Sequence, residues 1–330
     1  MKLIYTNGDS ASSKIEALKL ADKAVPWRDI LHEGPVEGHM PLAKRSETRA
    51  KFIHEFDGGD HSEILQSFKE RDKTLFYLNE YSKVELWFEH DLYDQLQLLQ
   101  ILDFAHHNLE QQDFYLVQTN DYLGEMNDEA FQSLPTLAKP VTQEMKTYAS
   151  KAWHALTQKT PDNLIRVLDN KDMPFTAPAI RRLVMEYPDS RTGLPTSIFN
   201  AFTLLLNGPA SIGKLFEHMQ NCELAKFMGD LSFAKYIDEF GTCLQPLIAG
   251  ENIIYSTSKA SGRQNLEQIQ NYFKQKIHLT EFGKKVMERD ANHVSKNGID
   301  RWICGVHLTP ENLYFYDMKR AKIVRDPCIE

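Results

Sequence analysis

Apolar and polar positions alternate in KLIYTN (2–7), which predicts a strand that stops at Gly8. Asp9 and Ser10 then stand where a helix N-cap belongs, ahead of SKIEALKLA. AVPWRDIL (24–31) predicts a second strand, broken by HEGP at 32–35. Residues 46–56 and 61–81 have helical spacing and high charge. KVELWFEH (83–90) is apolar enough for a buried strand. It runs directly into LYDQLQLLQILDFAHH, where Leu92, Leu96, Leu99 and Leu102 share one helical face. DFYLVQT (113–119) predicts the next strand. Strands alternating with helices in this order predict an α/β, Rossmann-like domain over residues 1–140, with an open, mainly parallel sheet.

After Pro140 the pattern becomes helical. TQEMKTYASKAWHALTQ, DNLIRVLDN and APAIRRLVMEY predict three helices, and residues 141–195 read as a helical connector that ends in the loop DSRTGLP. From 196 to 330 the order is helix (IFNAFTLLLNG), helix (SIGKLFEHMQN), helix (GDLSFAKYIDEFG), strand (LQPLIAGE), polar segment, then IHLTEFGKKVMERD. That order predicts a winged-helix-like C-terminal domain, closed by a small hairpin with a polar turn at Thr309–Asn312.

Charge sharpens the division. Residues 1–140 carry 14 Lys+Arg against 25 Asp+Glu, and residues 141–330 carry 24 against 21. An acidic first half repels a nucleic-acid backbone unless cations intervene. A DNA-reading third helix would present Lys and Arg, yet from Pro209 to Glu251 there are three Lys against six Asp+Glu. A structural or protein-contact role therefore ranks above DNA reading. No run of about 18 apolar residues predicts a membrane span, and the N-terminus lacks the long apolar region of a signal peptide. Cys222, Cys243, Cys304 and Cys328 are scattered, without a CxxC pair, which fits a reducing cytoplasm and argues against a thiolate zinc site.

In open parallel sheets, ligands sit outside the carboxyl ends of the strands. Three segments put polar groups there: Asn7, Gly8, Asp9 and Ser10 after the first strand; Arg28, Asp29, His32 and Glu33 around the second; Glu89, His90, Asp91 and Asp94 after the third. Converging carboxylates need a cation or raised pKa values. Glu89, His90 and Asp91 are the candidate ligands of a divalent metal, with Asp9 or Asp29 as a further ligand or base. The Gly8 turn and the following helix N-terminus suit an anionic group, and Arg28 suits a second phosphate oxygen. Simpler roles compete. Asp91 and Asp9 fit helix caps, Asp94 a first-turn acid, His90 a hydrogen-bonded histidine, and Trp27 and Trp87 core packing. The common dinucleotide, P-loop, zincin and hydrolase strings do not occur.

The strings TNGDS, PWRDILHEGP and LWFEHDLYDQLQLLQILD resemble the signature blocks of an uncharacterised bacterial family, domain of unknown function 1835. PDSRTGL, FMGDLSF and RWICGVHL resemble blocks that follow in its longer members, which carry Asn where this chain has Thr192. The resemblance implies an intracellular bacterial protein and names no reaction. Two functional readings stay open. One is an enzyme or nucleotide-binding protein acting on a phosphate-containing ligand, metal-assisted, at the strand ends. The other is a regulatory adaptor whose acidic edge and winged helix contact protein. A DNA-binding regulator ranks last, and no membrane partner is expected.

Overall fold

The computed structural model describes residues 1–38, 40–251, 254 and 266–325. Most of the polar segment expected before IHLTEF, and Cys328, lie outside them. The chain forms two units. One comprises Met1–Ile53, His61–Arg181 and Cys304–Val306; the other comprises His54–Asp60, Arg182–Ile303 and His307–Glu330. The segment 141–195 is thus shared between the units.

The first unit runs β1 (Lys2–Thr6), α1 (Asp9–Ala17), β2 (Lys23–Pro26), α2 (Leu42–Asp57), α3 (His61–Phe76), β3 (Lys83–Glu89), α4 (Leu92–Asn108), β4 (Tyr115–Thr119), α5 (Asp128–Ser133), β5 (Lys139–Pro140), α6 (Gln143–Leu156) and α7 (Thr176–Val184). Its sheet has the order β2-β1-β3-β4-β5. The first four strands are parallel, and β5 closes the β4 edge antiparallel. The α/β class read from the sequence is the observed one.

Strand alternation divides the core. Ile4, Trp87 and Val117 point to one face, where Ala11 and Ile15 of α1 pack with Leu123, Phe131 and Leu134. Tyr5 points to the other face. Its ring meets Trp27 edge-on at 6.0 Å, and its hydroxyl bonds to Thr74 of α3 at 2.6 Å. Gln100 of α4 takes the Trp27 indole N–H on that second face. The helices that follow β1 and β3 therefore lie on opposite sides of the sheet. Strand order reverses between β1 and β3, and the carboxyl ends of these strands bound the crevice where such sheets bind ligands.

Local sequence explains where the elements stop. The second strand ends at Pro26 rather than reaching Leu31. Arg28 turns the chain with φ 35°, a conformation outside any strand. DNLIRVLDN gives only a single 3₁₀ turn, Leu164–Arg166, instead of a helix. It lacks a side-chain cap, and it is too short to sustain helix once begun.

The second unit runs α8 (Thr196–Thr203), β6 (Ala210–Ser211), α9 (Ile212–Asn221), α10 (Asp230–Thr242), β7 (Ile248–Gly250), α11 (Leu266–Lys274), β8 (Lys276–Leu279), α12 (Glu281–Met287) and α13 (His293–Asn297). Its three-stranded sheet is antiparallel, in the order β6-β8-β7. The C-terminal part holds β9 (Arg301–Ile303) beside β10 (Val306–Leu308), and β11 (Phe315–Asp317) beside β12 (Lys322–Val324). Two strand pairs stand where the sequence predicts one hairpin, and the Thr309–Asn312 turn joins them through an isolated bridge. Among the described residues no helix is long and apolar enough to cross a membrane.

Candidate functional site at the ends of β1 and β3

β3 delivers Glu89 at its last position, and the chain enters α4 two residues later. Asp91 is the N-cap of that helix: its Oδ1 accepts from the Asp94 N–H at 3.1 Å. Asp94, in the first turn, reaches back so that its Oδ1 accepts from the Glu89 N–H at 2.6 Å. Its Oδ2 accepts from Asn7 Nδ2, just beyond β1, at 2.6 Å. Asp94 thus fastens the end of β1 to the end of β3 and has both oxygens engaged. Gln95 of α4 donates to the Glu89 carbonyl, and Thr176, the first residue of α7, donates to Gln95. This frame holds Glu89 and Asp91 side by side.

One carboxylate oxygen from each of Glu89, Asp91 and Asp94 lies within 4.8 Å of the other two, and all three residues are buried. Among the described residues this is the group of acidic or histidine side chains able to share one cation. Asp94 takes the place in the cluster that the sequence pattern offered to His90. The His90 ring packs against Tyr122 at 5.3 Å and Phe175 at 5.9 Å.

The electrostatics follow from burial. Desolvation, reinforced by the negative Asp91, pushes the Glu89 carboxyl up to about 8. Desolvation pushes Asp91 up to about 6, opposed by N–H donors at the helix start. Asp94 is raised as well, first by complete burial and then by Asp91 and Glu89. Three buried carboxylates cannot all carry charge at neutral pH without a compensating cation. An all-oxygen set of this kind matches hard divalent ions such as Mg²⁺, Mn²⁺ or Ca²⁺.

The loop after β4 arches over the same point. Leu123 N–H donates to Glu89 Oε1 at 2.9 Å, and an added Cβ at Gly124 would lie 3.2 Å from Ser10 Oγ. Gly8 is the N-cap of α1; no side chain caps that helix, and a Cβ on Gly8 would meet nothing within 4 Å. The first turn of α1 is thus left without a side-chain cap beside Asn7, the partner of Asp94.

The second segment is arranged differently. Asp9 is exposed and bonds the Arg28 guanidinium, with contacts of 2.5–2.9 Å, while Arg28 also reaches Ser67. Asp29 is fully buried, and its Oδ1 accepts from Arg49 of α2 at 2.9 Å. The remaining Arg49 N–H groups bind the carbonyls of Ile30, Glu33 and Pro35. Asp29 thus neutralises an arginine that ties down the 29–35 loop. His32 lies 3.6 Å from Glu33 and edge-on to Tyr93. Tyr93 links the two neighbourhoods: burial raises its hydroxyl pKa, and Asp29, Asp94 and Asp91 add to the shift. Arg49, Tyr93, Gln95 and the Leu123 N–H are not among the polar groups that the sequence marks at the strand ends. Only Tyr93 and Gln95 carry a local signal, since they sit within one turn of Asp94.

No protein-family model matches the chain, and no curated protein matches it either.

Proposed function

We propose that the first unit binds a phosphate-containing, nucleotide-like ligand at the ends of β1 and β3, with a divalent cation shared by Glu89, Asp91 and Asp94. The buried triad of carboxylates at the point where strand order reverses carries this reading. A bound divalent ion there would supply positive charge toward a phosphoryl oxygen. The chain itself contributes the rest. Asn7 and Asp94 hold β1 and β3 together, the uncapped start of α1 offers backbone donors to an anion, and Glu89 can hold or accept a proton near neutral pH. Hydrolysis of a phosphoester is the reaction class these parts suit. The likeness of the TNGDS, PWRDILHEGP and LWFEHDLYDQ blocks to domain of unknown function 1835 groups the same three segments and points to a cytoplasmic bacterial protein.

Thermal-shift and calorimetric titration with Mn²⁺, Mg²⁺ and Ca²⁺ at pH 8, with and without a nucleotide panel, tests the reading. Stabilisation by a cation that disappears in the Glu89→Gln, Asp91→Asn double variant supports it. A wild-type protein indifferent to all three cations would sink it.

A second reading concerns the other unit. Its element order and β6-β8-β7 sheet support reading it as winged-helix-like, which would put α10 in the position of the recognition helix. α10 carries Asp230, Asp238 and Glu239 against Lys235, and Glu239 is engaged by Arg301 at 2.8 Å. That surface favours contact with protein over nucleic acid. Retention on duplex DNA that weakens with rising salt would overturn this choice.

A further inference from the structure

A second cavity belongs to the first unit and shares no lining residue with the strand ends. It measures about 890 Å³ and is bordered by α4, α6 and the segment that follows α6. That volume is of the size that holds small organic ligands, about 300–1,000 Å³. Asp103, His107, Ser150, Lys151, His154 and Lys159 supply its ionisable and hydroxyl groups.

The hydrogen bonds fix much of their chemistry. Ser150 Oγ donates to Asp103 Oδ1 at 2.8 Å. Its hydrogen is then used, so toward His107 Nε2, 3.2 Å away, it acts as acceptor, and that nitrogen carries a proton. The same Nε2 lies 3.5 Å from Asp103 Oδ1. Burial also raises the Asp103 pKa. The one carboxylate of the cavity is thus already matched by donors. Further along, Asn163 donates to Gln158 Oε1 at 2.7 Å, which orients the Gln158 amide. The Gln158 NH₂ donates to His154 Nε2 at 2.8 Å, leaving the proton of a neutral His154 on Nδ1. Lys151 and Lys159 are exposed, and neither has an ion-pair or hydrogen-bond partner among the described residues. Behind them Trp153 is buried and gives an apolar wall. Two unmatched ammonium groups and one hydrogen-bonded carboxylate thus surround a partly apolar hollow.

We propose that this cavity binds a small organic anion, a carboxylate or phosphate monoester on a compact apolar body, with Lys151 and Lys159 meeting the charge. Ser150, its hydrogen committed to Asp103, holds the His107 and Asp103 side chains together at the cavity wall.

Isothermal titration of the 330-residue chain with phenyl phosphate and with benzoate tests this, with benzamide as the uncharged counterpart. One or both anions should bind, and whichever does identifies the anionic group; benzamide should not. The Lys151→Ala, Lys159→Ala double variant should weaken that binding about tenfold or more, since each lysine makes a charge-assisted contact. The side chains changed are exposed, so the fold is expected to survive, and an unaltered circular-dichroism melt checks this. Imidazole ¹⁵N signals of His107 and His154 should shift on titration. The Glu89→Gln, Asp91→Asn protein should bind as the wild type does, which separates this cavity from the strand-end site. Absence of anion binding, equal binding of benzamide, or binding that survives loss of both lysines overturns the proposal.

Discussion

At Glu89 burial and the nearby Asp91 act in the same direction: both keep the proton on. The unfolded chain gives that proton up near the ordinary value of 4.5, whereas the folded chain keeps it to about 8. The folded state therefore holds more protons between those values, and stability falls as pH rises through the window. Asp91, raised to about 6, adds to the lower part of the same decline. In chelator, the urea midpoint should drop from pH 5 to pH 8.5, and Glu89→Gln should flatten the drop. A midpoint that rises or stays level in the wild type contradicts the electrostatics described. A divalent cation replaces those protons, so Mn²⁺ should raise the melting temperature strongly at pH 8 and weakly at pH 5, where protons compete. Equal Mn²⁺ effects at both values would mean that binding occurs elsewhere. Asp29 forms a buried ion pair with Arg49. Removing one partner of a buried pair leaves the other uncompensated, so Arg49→Ala should destabilise by about 3–5 kcal/mol in urea unfolding. The exposed Asp9–Arg28 pair should contribute about 0–1 kcal/mol by the same assay.

Among the elements, β1, β3 and α4 are legible in the sequence because their apolar pattern is local and uninterrupted. The site is legible in part for a related reason: Glu89, Asp91 and Asp94 fall within six residues, at a strand end that leads into a helix. Which of them face one another is not local information. Asn7 reaches Asp94 only because β1 lies beside β3, and the Leu123 N–H reaches Glu89 only because β4 follows on the other side. Asp29 reads as a site residue because its partner is 20 positions away on a helix whose charge pattern looks solvated. The loop it anchors is also set by sterics. Gly34 has φ 69°, and a Cβ there would lie 2.5 Å from the Phe52 ring. Gly34→Ala should therefore cost about 1–3 kcal/mol through backbone strain and overpacking. If Gly34→Ala is neutral in chemical denaturation, the 29–35 loop is looser than these contacts require.

For the molecule as a whole, the first unit is not continuous in sequence: Cys304–Val306 completes it from far along the chain. Cys304 and Val306 are almost fully buried. The Cys304 carbonyl accepts from the Val36 N–H, and the Gly305 N–H donates to the Leu156 carbonyl. The residue between them must be glycine for reasons of space, since a Cβ at 305 would sit 2.4 Å from the Thr157 backbone. A fragment ending at residue 181 would keep every strand of the five-stranded sheet but lose these bonds and buried side chains. It would also expose the backbone N–H of Val36 and the carbonyl of Leu156, each worth about 0.5–1.5 kcal/mol as a paired hydrogen bond. The fragment should fold and melt below the corresponding transition of the full chain. Gly305→Val in the intact chain should reproduce part of that loss, because the side chain forces the 304–306 turn away from Thr157 while everything else stays in place. Hydrogen exchange at Val36 reads the effect directly: its amide should be protected in the full chain, and exposed both in the fragment and in Gly305→Val. Protection of Val36 that persists in the fragment would mean that the late segment contributes nothing to the unit it joins.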